Sequence, residues 1–324
     1  MERKNLKIVF FGTPEFAVAS LDRLIERGFD VAAVVTMPDK IGGRGHKVIT
    51  SAVKDYAVAH NLPLLQPEKL KDPAFVDALR AIGADLFIVI AFRMLPEVVW
   101  TMPLLGTFNL HGSLLPRYRG AAPINRALMN GDSIMGVTTF FLKHEIDTGD
   151  IIGQEKIIVG PDEDAGLVYN RLMAIGADLT CRTVEQIAAG GVEAVPQIKM
   201  SNEEPTAAPK IFKEDCRIDW RRPASEIHNH VRGLAPSPGA WTELVHDDGS
   251  VLSVKILKTA RLTAVPSLEP GHMAVSGRHV YCGCGGKTAI ELLTVQPAGK
   301  KAMPAPDFVR GLHPDADGSL PFFR

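Results

Sequence analysis

The chain has little cysteine, no excess of either charge and no long apolar run, and each shortage removes a class of protein. Four cysteines in 324 residues, Cys181, Cys216, Cys282 and Cys284, are too few and too scattered for a disulfide scaffold and point to a reducing compartment. Cys282 and Cys284 form the one close pair, but a gap of a single residue is not zinc or redox spacing, so plain thiols in a strand or turn are expected, with no metal. With 36 Lys+Arg against 37 Asp+Glu, the formal charge is -1 and the chain as a whole is not a generic polyanion binder. Any nucleic-acid contact must be local. The longest apolar run, Leu86 to Phe92, falls far short of the ~18–20 residues that span a bilayer. The apolar stretch behind the charged N-terminus stops at Gly12, below the roughly 7–15 residues of a signal-peptide core. The expected location is the cytoplasm, with no membrane partner.

What is present is the composition of an ordinary folded protein, with 46% apolar and 23% charged residues and a mean hydropathy of +0.06. The length suits two domains. Lys7 to Phe11 reads as a strand, Gly12-Thr13-Pro14 as a turn, and Phe16, Ala17, Ser20, Leu21, Leu24 and Ile25 recur at helical spacing. Further apolar runs at Val31 to Val35, Ala84 to Ala91 and Gly106 to His111 are interleaved with helical patterns at Ser51 to His60 and Pro73 to Ile82. Continuous apolar strands alternating with helices predict a doubly wound, Rossmann-like α/β domain, whose ligands sit beyond the carboxyl ends of the strands. Two more strands, Gly136 to Leu142 and Asp150 to Val159, and a long helix, Leu167 to Ala189, complete it. The aperiodic stretch 200–210 has linker composition, so a first domain over 1–199 and a second over 211–324 are expected. One helix at Ala224 to Gly233, followed by short β-rich segments broken by Gly, Asp and Pro, makes that second domain a small antiparallel barrel.

Some segments imitate known motifs. Gly285-Gly286-Lys287-Thr288 ends like a phosphate loop, but Tyr281 stands where the first glycine must be. The turn after the first strand is not G-x-G-x-x-G, which disfavours a nicotinamide dehydrogenase. His228 and His230, two apart on a helix, point to different faces and are expected at surface or partly buried positions rather than as a chelate.

The informative segment runs from Phe108 to Ile124. On a strand ending at His111, Asn109 and His111 project to the same side, at the edge where sites form. An amide can donate to a developing oxyanion and an imidazole can move a proton near neutral pH, so the pair suits addition to a carbonyl carbon. Glu145, Asp147 and Asp150 lie on a downstream turn that can fold back onto the imidazole; the chemistry alone does not choose among them.

Asn109-x-His111-x-Ser113-Leu114-Leu115-Pro116-x-x-Arg119-Gly120-x-Ala122-Pro123-Ile124, together with Asp147-Thr148-Gly149-Asp150, resembles the formyltransferases that use 10-formyltetrahydrofolate. Gly12 to Ala17, the loop Pro38-Asp39-Lys40-x-x-Gly43-Arg44-Gly45, Ile218-Asp219-Trp220 and Gln296 to Met303 resemble the members that act on charged initiator tRNA. The resemblance implies a catalytic trio of Asn109, His111 and Asp147 and a folate-binding stretch of Ser113, Leu114, Leu115 and Pro116. It implies tRNA contacts by Lys40, Arg44 and Lys47 in a glycine-framed loop and by Lys210 in the linker, with Phe16 in a methionine pocket. The second domain would be an oligonucleotide-binding type of barrel. The implied partners are 10-formyltetrahydrofolate as co-substrate and initiator methionyl-tRNA, with the enzyme expected as a monomer. The same trio also serves transfer to other amines, such as those of sugar nucleotides, and hydrolysis of the formylated folate. The sequence departs from the family at Ala91-Phe92-Arg93, where Ala-Tyr-Gly is usual, and lacks an aromatic between Pro236 and Pro238.

Overall fold

A computed structural model describes residues 6–42, 47–200, 204–246, 248–262, 268–312 and 320–324. The chain forms two compact units, one from 1–120, 135–157 and 169–208, the other from 121–134, 158–168 and 209–324.

In chain order the elements are β1 (Lys7–Gly12), α1 (Glu15–Glu26), β2 (Asp30–Val35), β3 (Lys40–Gly42), β4 (Lys47–Ile49), α2 (Ala52–Ala59), β5 (Leu64–Leu65) and α3 (Pro73–Ile82). They continue with β6 (Leu86–Ile90), α4 (Glu97–Trp100), β7 (Thr107–His111), α5 (Pro123–Met129), β8 (Ile134–Phe141), β9 (Ile151–Ile158) and α6 (Ala165–Ala188). The first unit is built on a seven-stranded sheet of order β5-β2-β1-β6-β7-β8-β9. Strands β5, β2, β1, β6 and β7 run parallel, and β8 turns antiparallel against β7. All five residues of β6 are buried, as are the last five of β1, which explains why these strands read as unbroken apolar runs rather than alternating ones. Strands β2 and β6 lie on opposite sides of β1, so the order reverses there, and in such sheets ligands sit beyond the carboxyl ends of the strands at a position of this kind. Strand β7 delivers Asn109 and His111 to that edge.

The apolar spacing of α1 was readable because one stripe of it, Phe16, Ala17, Ser20, Leu21 and Leu24, is buried. Helix α3 begins where Asp72 accepts a hydrogen bond from the Ala74 backbone N–H at 3.0 Å, with Pro73 at a position that needs no donor.

The second unit contains α7 (Ala224–Leu234), β10 (Ala240–Val245), β11 (Val251–Arg261), β12 (Met273–Ser276), β13 (His279–Cys284), β14 (Thr288–Pro297), β15 (Met303–Pro304), α8 (Ala305–Arg310) and β16 (Phe322–Phe323). Its sheet has the order β12-β13-β14-β11-β10-β16, with β15 paired to β14. The two ends of the path meet beside β12, where the Phe323 N–H donates to the Gly271 carbonyl at 2.9 Å, making the sheet barrel-like. Gly271 has φ +84°, and a Cβ there would lie 2.1 Å from the Phe323 carbonyl oxygen, so only glycine permits this closure. Trp220 stacks on Phe323 at 5.5 Å inside a core that includes Ile218, Ile227, Val231, Val254 and Ile256. The expected leading helix followed by an antiparallel sheet is observed, as α7 and β10 onward; β12, β16 and α8 are short elements that periodicity did not reveal.

His228 and His230 are both buried, at 2% and 8% exposure, rather than at surface or partly buried positions, because α7 is covered on more than one face, every residue from His230 to Leu234 being buried. Cys282 and Cys284 lie in strand β13, and all four cysteines are free and buried. Burial pushes the Cys181 thiol to about 11 and that of Cys284 to about 12, so they behave as small apolar side chains.

Candidate active site

Strand β7 is paired on both sides, Val89 opposite Asn109 on β6 and Thr138 opposite His111 on β8, which fixes the direction of both polar side chains. The Asn109 amide is half-buried and makes no hydrogen bond with a described residue, leaving its donors unengaged. His111 is 7% exposed, and its Nε2 lies 2.8 Å from the Tyr118 carbonyl oxygen. A carbonyl only accepts, so Nε2 carries a proton, and Nδ1 is the ring nitrogen left for chemistry. Nδ1 faces Asp147 Oδ2 at 3.8 Å, an ion-pair distance rather than a hydrogen bond. The ring also meets the edge of Phe140 at 6.5 Å.

Of the three carboxylates left open by the sequence, Asp147 is the one placed beside the imidazole. Asp150 pairs with Lys143 at 2.8 Å, and Glu145 is exposed. Asp147 Oδ2 accepts the Gly120 N–H at 2.9 Å, which ties the Asp147 turn to the segment that follows Tyr118. The turn returns against β8 so closely that a Cβ on Gly149 would lie 1.6 Å from the Phe141 carbonyl oxygen. This accounts for the glycine in Asp147-Thr148-Gly149-Asp150.

Backbone strain gathers in the same region. Of the non-glycine residues with positive φ, Tyr118 at 61° supplies the carbonyl to His111 and Asp147 at 55° supplies the carboxylate, while Ala91 at 47° follows β6. Each such residue costs on the order of 1–3 kcal/mol and persists only where its surroundings hold it.

The stretch Ser113 to Pro116 is held from beneath by two side chains that sequence reasoning missed. Thr138 Oγ1 donates to the Ser113 carbonyl at 2.6 Å and accepts from the Leu115 N–H at 3.1 Å. Gln154 Nε2 donates to the Leu115 carbonyl at 2.9 Å and to Thr138 Oγ1 at 2.9 Å. Ser113 Oγ closes the loop onto the Arg117 carbonyl at 2.6 Å. A third missed residue, Gln197, reaches the Asp147 turn from the aperiodic stretch before the linker. None of the three lies in a motif, and their partners are 16 to 78 residues away in the chain, so only the folded structure exposes them.

The remaining predicted residues are distributed more widely. Phe16 is buried, its ring edge-on to Tyr169 at 5.3 Å, and its N–H donates to the Tyr169 hydroxyl at 3.0 Å. Burial holds that hydroxyl above its ordinary pKa. Lys40 is exposed on β3, where Ile41 opposite Val48 forms an apolar pair that is itself exposed. Arg44 lies outside the described residues, and of Lys47 only the backbone in β4 is described. Lys210 is exposed in the second unit, with Nζ 5.6 Å from the Phe212 ring. At the departure from the family pattern, Arg93 stacks over Phe92 at 5.5 Å and donates to the carbonyls of Pro67 and Glu68. Among the described residues no group of three or more His, Cys, Asp or Glu is placed to hold a metal ion, and no helix is long and apolar enough to cross a membrane.

Residues 6–184 match the family model described as formyl transferase, and 210–313 match the one described as formyl transferase, C-terminal domain. The chain belongs to the formyl transferase family. A relative from Bacteroides fragilis named methionyl-tRNA formyltransferase is 50% identical over 314 residues, covering 97% of both chains. One of the same name from Porphyromonas gingivalis is 46% identical over 323 residues, covering 98% of this chain and 99% of its own. Among solved structures, the fold is shared with WlaRD, a sugar 3N-formyl transferase crystallised with dTDP and 5-N-formyl-THF. That match has TM-score 0.65 and 18% identity and covers 91% of this chain and 99% of WlaRD. HypX from Aquifex aeolicus, in complex with tetrahydrofolic acid, matches 93% of this chain with TM-score 0.61 and 18% identity, over 46% of its own length. Formyl transfer is thus the activity of the family, and in this chain Asn109 and His111 lie at the end of β7 with Asp147 facing the imidazole.

Proposed function

We propose that the protein transfers the formyl group of 10-formyltetrahydrofolate to the free α-amino group of initiator methionyl-tRNA, giving N-formylmethionyl-tRNA for translation initiation. The observation that carries this reading is the pairing of Asn109 and His111 at the end of β7 with Asp147 3.8 Å from the ring, in a chain half identical to full-length methionyl-tRNA formyltransferases. The sugar formyltransferase shares the fold at 18% identity, which favours the tRNA reading over a sugar nucleotide acceptor, and water as acceptor has no observation in its support.

Folate supplies the formyl carbon; the chain supplies positions and protons. The acceptor amine must be neutral to attack, which is accessible near neutral pH because an α-amino group titrates at about 7.7–8.0. The unengaged Asn109 amide is suited to donate to the negative charge that develops on the formyl oxygen. With Nε2 committed to the Tyr118 carbonyl, His111 accepts the amine's proton at Nδ1, the Asp147 carboxylate stabilises the resulting imidazolium, and that proton passes to the folate N10 as its bond to the formyl carbon breaks and tetrahydrofolate leaves. Ser113, Leu114, Leu115 and Pro116, fixed by Thr138 and Gln154, form the folate-binding wall. In this reading residues 1–199 form the catalytic domain, 200–210 the linker and 211–324 a tRNA-binding barrel. Lys40, Arg44, Lys47 and Lys210 contact tRNA phosphates, and Phe16 lines the methionine pocket. The enzyme acts in the cytoplasm as a monomer without a metal.

The test is to incubate the protein with 10-formyltetrahydrofolate, with and without methionyl-tRNA, and follow folate and formylated tRNA separately. Formyl transfer that requires the charged tRNA is the expected result. Folate consumption without it, or transfer only to a sugar nucleotide amine, overturns the reading.

A further inference from the structure

Gln197 is 4% exposed, and its amide uses every hydrogen-bonding position it has. Nε2 donates to the carbonyls of Asp147 at 2.8 Å and Gly149 at 3.0 Å. Oε1 accepts from Arg119 Nε at 3.1 Å and Nη2 at 2.6 Å. Two carbonyls on one side and a guanidinium on the other leave only one orientation for the amide, since reversing it would set donor against donor and acceptor against acceptor. Arg119 is in turn fixed by its own backbone, whose N–H donates to the Thr206 carbonyl at 2.8 Å and whose carbonyl accepts from Ala208. The next residue, Gly120, donates to the Asp147 carboxylate. Asp147 is therefore gripped at both ends, the carboxylate by Gly120 and the carbonyl by Gln197, while its backbone is held at φ 55°. Nothing in the hydrogen bonding within the turn itself reaches the Asp147 carbonyl; the Thr148 hydroxyl bonds back to Glu145 instead.

We infer that Gln197 is a positioning residue for formyl transfer, holding the Asp147 turn in the left-handed conformation that sets the carboxylate beside His111 Nδ1. The inference rests on the reading of Asp147 as the carboxylate partner of His111. Gln197 touches no reacting atom. Its action passes through the peptide of Asp147, and its anchor is Arg119, part of the segment that also carries the Tyr118 carbonyl bonded to His111 Nε2. The two arms of the imidazole's surroundings, carbonyl on one ring nitrogen and carboxylate toward the other, are thereby tied through one amide.

The discriminating variant is Gln197→Glu, which keeps the side-chain length and the pairing to Arg119 but replaces the donor to both turn carbonyls with a second acceptor. Displacements of about 1 Å at a catalytic group typically cost on the order of 10²-fold in rate, so kcat should fall about 10²-fold. KM for 10-formyltetrahydrofolate and for methionyl-tRNA should stay within about threefold, because neither the Ser113–Pro116 wall nor the basic residues are touched. Asp147→Asn and the double variant Gln197→Glu/Asp147→Asn complete the cycle, with circular dichroism and thermal unfolding checking the fold of each. If Gln197 works through Asp147, the double variant should be no slower than Asp147→Asn alone within about threefold. Losses that multiply, or a loss that appears in both KM values instead of kcat, assign Gln197 a general structural role and overturn the inference. Unchanged kcat in Gln197→Glu overturns it as well, as does failure of that variant to fold when Gln197→Met, which removes the donors without adding charge, folds with full kcat. Near-normal turnover in Asp147→Asn is a different result, since it removes the reading of Asp147 on which the inference stands.

Discussion

Two buried histidines, one in each compact unit, have opposite arrangements. His228 on α7 has both ring nitrogens occupied, Nδ1 against Thr259 Oγ1 at 3.0 Å and Nε2 against the Pro161 carbonyl at 3.0 Å, with Asp162 at 3.3 Å. His111 commits one nitrogen to a backbone carbonyl and leaves the other facing a carboxylate beyond hydrogen-bond reach. Burial alone therefore says little about a histidine's work. A ring satisfied on both sides is a packing element that crosslinks a helix to its surroundings, whereas a ring half satisfied and oriented by strained backbone is available to exchange a proton. His230 sharpens the point from the other side: its Nε2 is buried with no described partner, and the carboxylate that acts on it, Asp215, is itself paired with Arg126 at 3.2 Å.

The contrast breaks most decisively at His111. His111→Ala should lower kcat by about 10²–10⁴-fold, the usual range for a positioned acid or base; His228→Gln should leave kcat within a few-fold. Comparable rate losses in the two variants, measured by single-turnover formylation, would erase the distinction drawn here. Next in size is Asn109→Ala, where loss of one oxyanion donor is expected to reduce kcat by roughly 10²–10³-fold with KM nearly constant. A rise in folate KM at constant kcat would instead make Asn109 a ground-state binding residue. His228→Gln should destabilise the second unit by about 1–3 kcal/mol, read from denaturant midpoints, because Thr259 and the Pro161 carbonyl lose well-placed partners in a buried setting.

The smallest effect concerns pH. Burial, the largest cause in each case, lowers the pKa of His228 and of His230, so both are held neutral in the fold while the unfolded chain takes up protons more readily. Stability from these two groups is thus fully present above the ordinary histidine value of about 6.5 and declines as pH falls from there toward their folded values. The groups facing His228 are Thr259, Asp162, Arg232 and Arg261, and those facing His230 are Arg222, Arg126 and Asp215. Urea midpoints at pH 7.5 and 5.5 should show a loss on acidification that shrinks in His228→Gln. An unchanged difference would mean that other groups set the acid limit.

Much of the architecture was legible because burial leaves a periodic trace. The unbroken runs of β1 and β6 announce a sheet covered on both faces, and the stripe of α1 announces a helix lying on it. The bounds of α3, Pro73 to Ile82, could be read directly, since a capping aspartate and a proline mark its start. Strands such as β12 and β16 could not, being four and two residues long, too short for any period to show. In the site, Asn109 and His111 share a side by the strand's alternation, while the choice of Asp147 over Glu145 and Asp150 came from the resemblance alone, because local chemistry does not reveal how the Gly149 turn returns against Phe141. Thr138, Gln154 and Gln197 left no trace because each acts through partners brought near only by tertiary structure. The burial of His228 was missed for the same reason, since Pro161 and Thr259 approach it from 67 and 31 residues away.

The interleaving of the two units along the chain bears on how the molecule is made. Residues 121–134 and 158–168 leave the ribosome early, yet they belong with 209–324. Asn125 must wait 108 residues for the Gly233 carbonyl that its amide binds, and Pro161 must wait 67 for His228. During synthesis these early segments stay without those partners until the later residues emerge. A fragment beginning at the linker would be born without α5, the helix whose Asn125 and Met129 pack against α7. Neither unit corresponds to one continuous stretch of messenger that could be moved as a cassette.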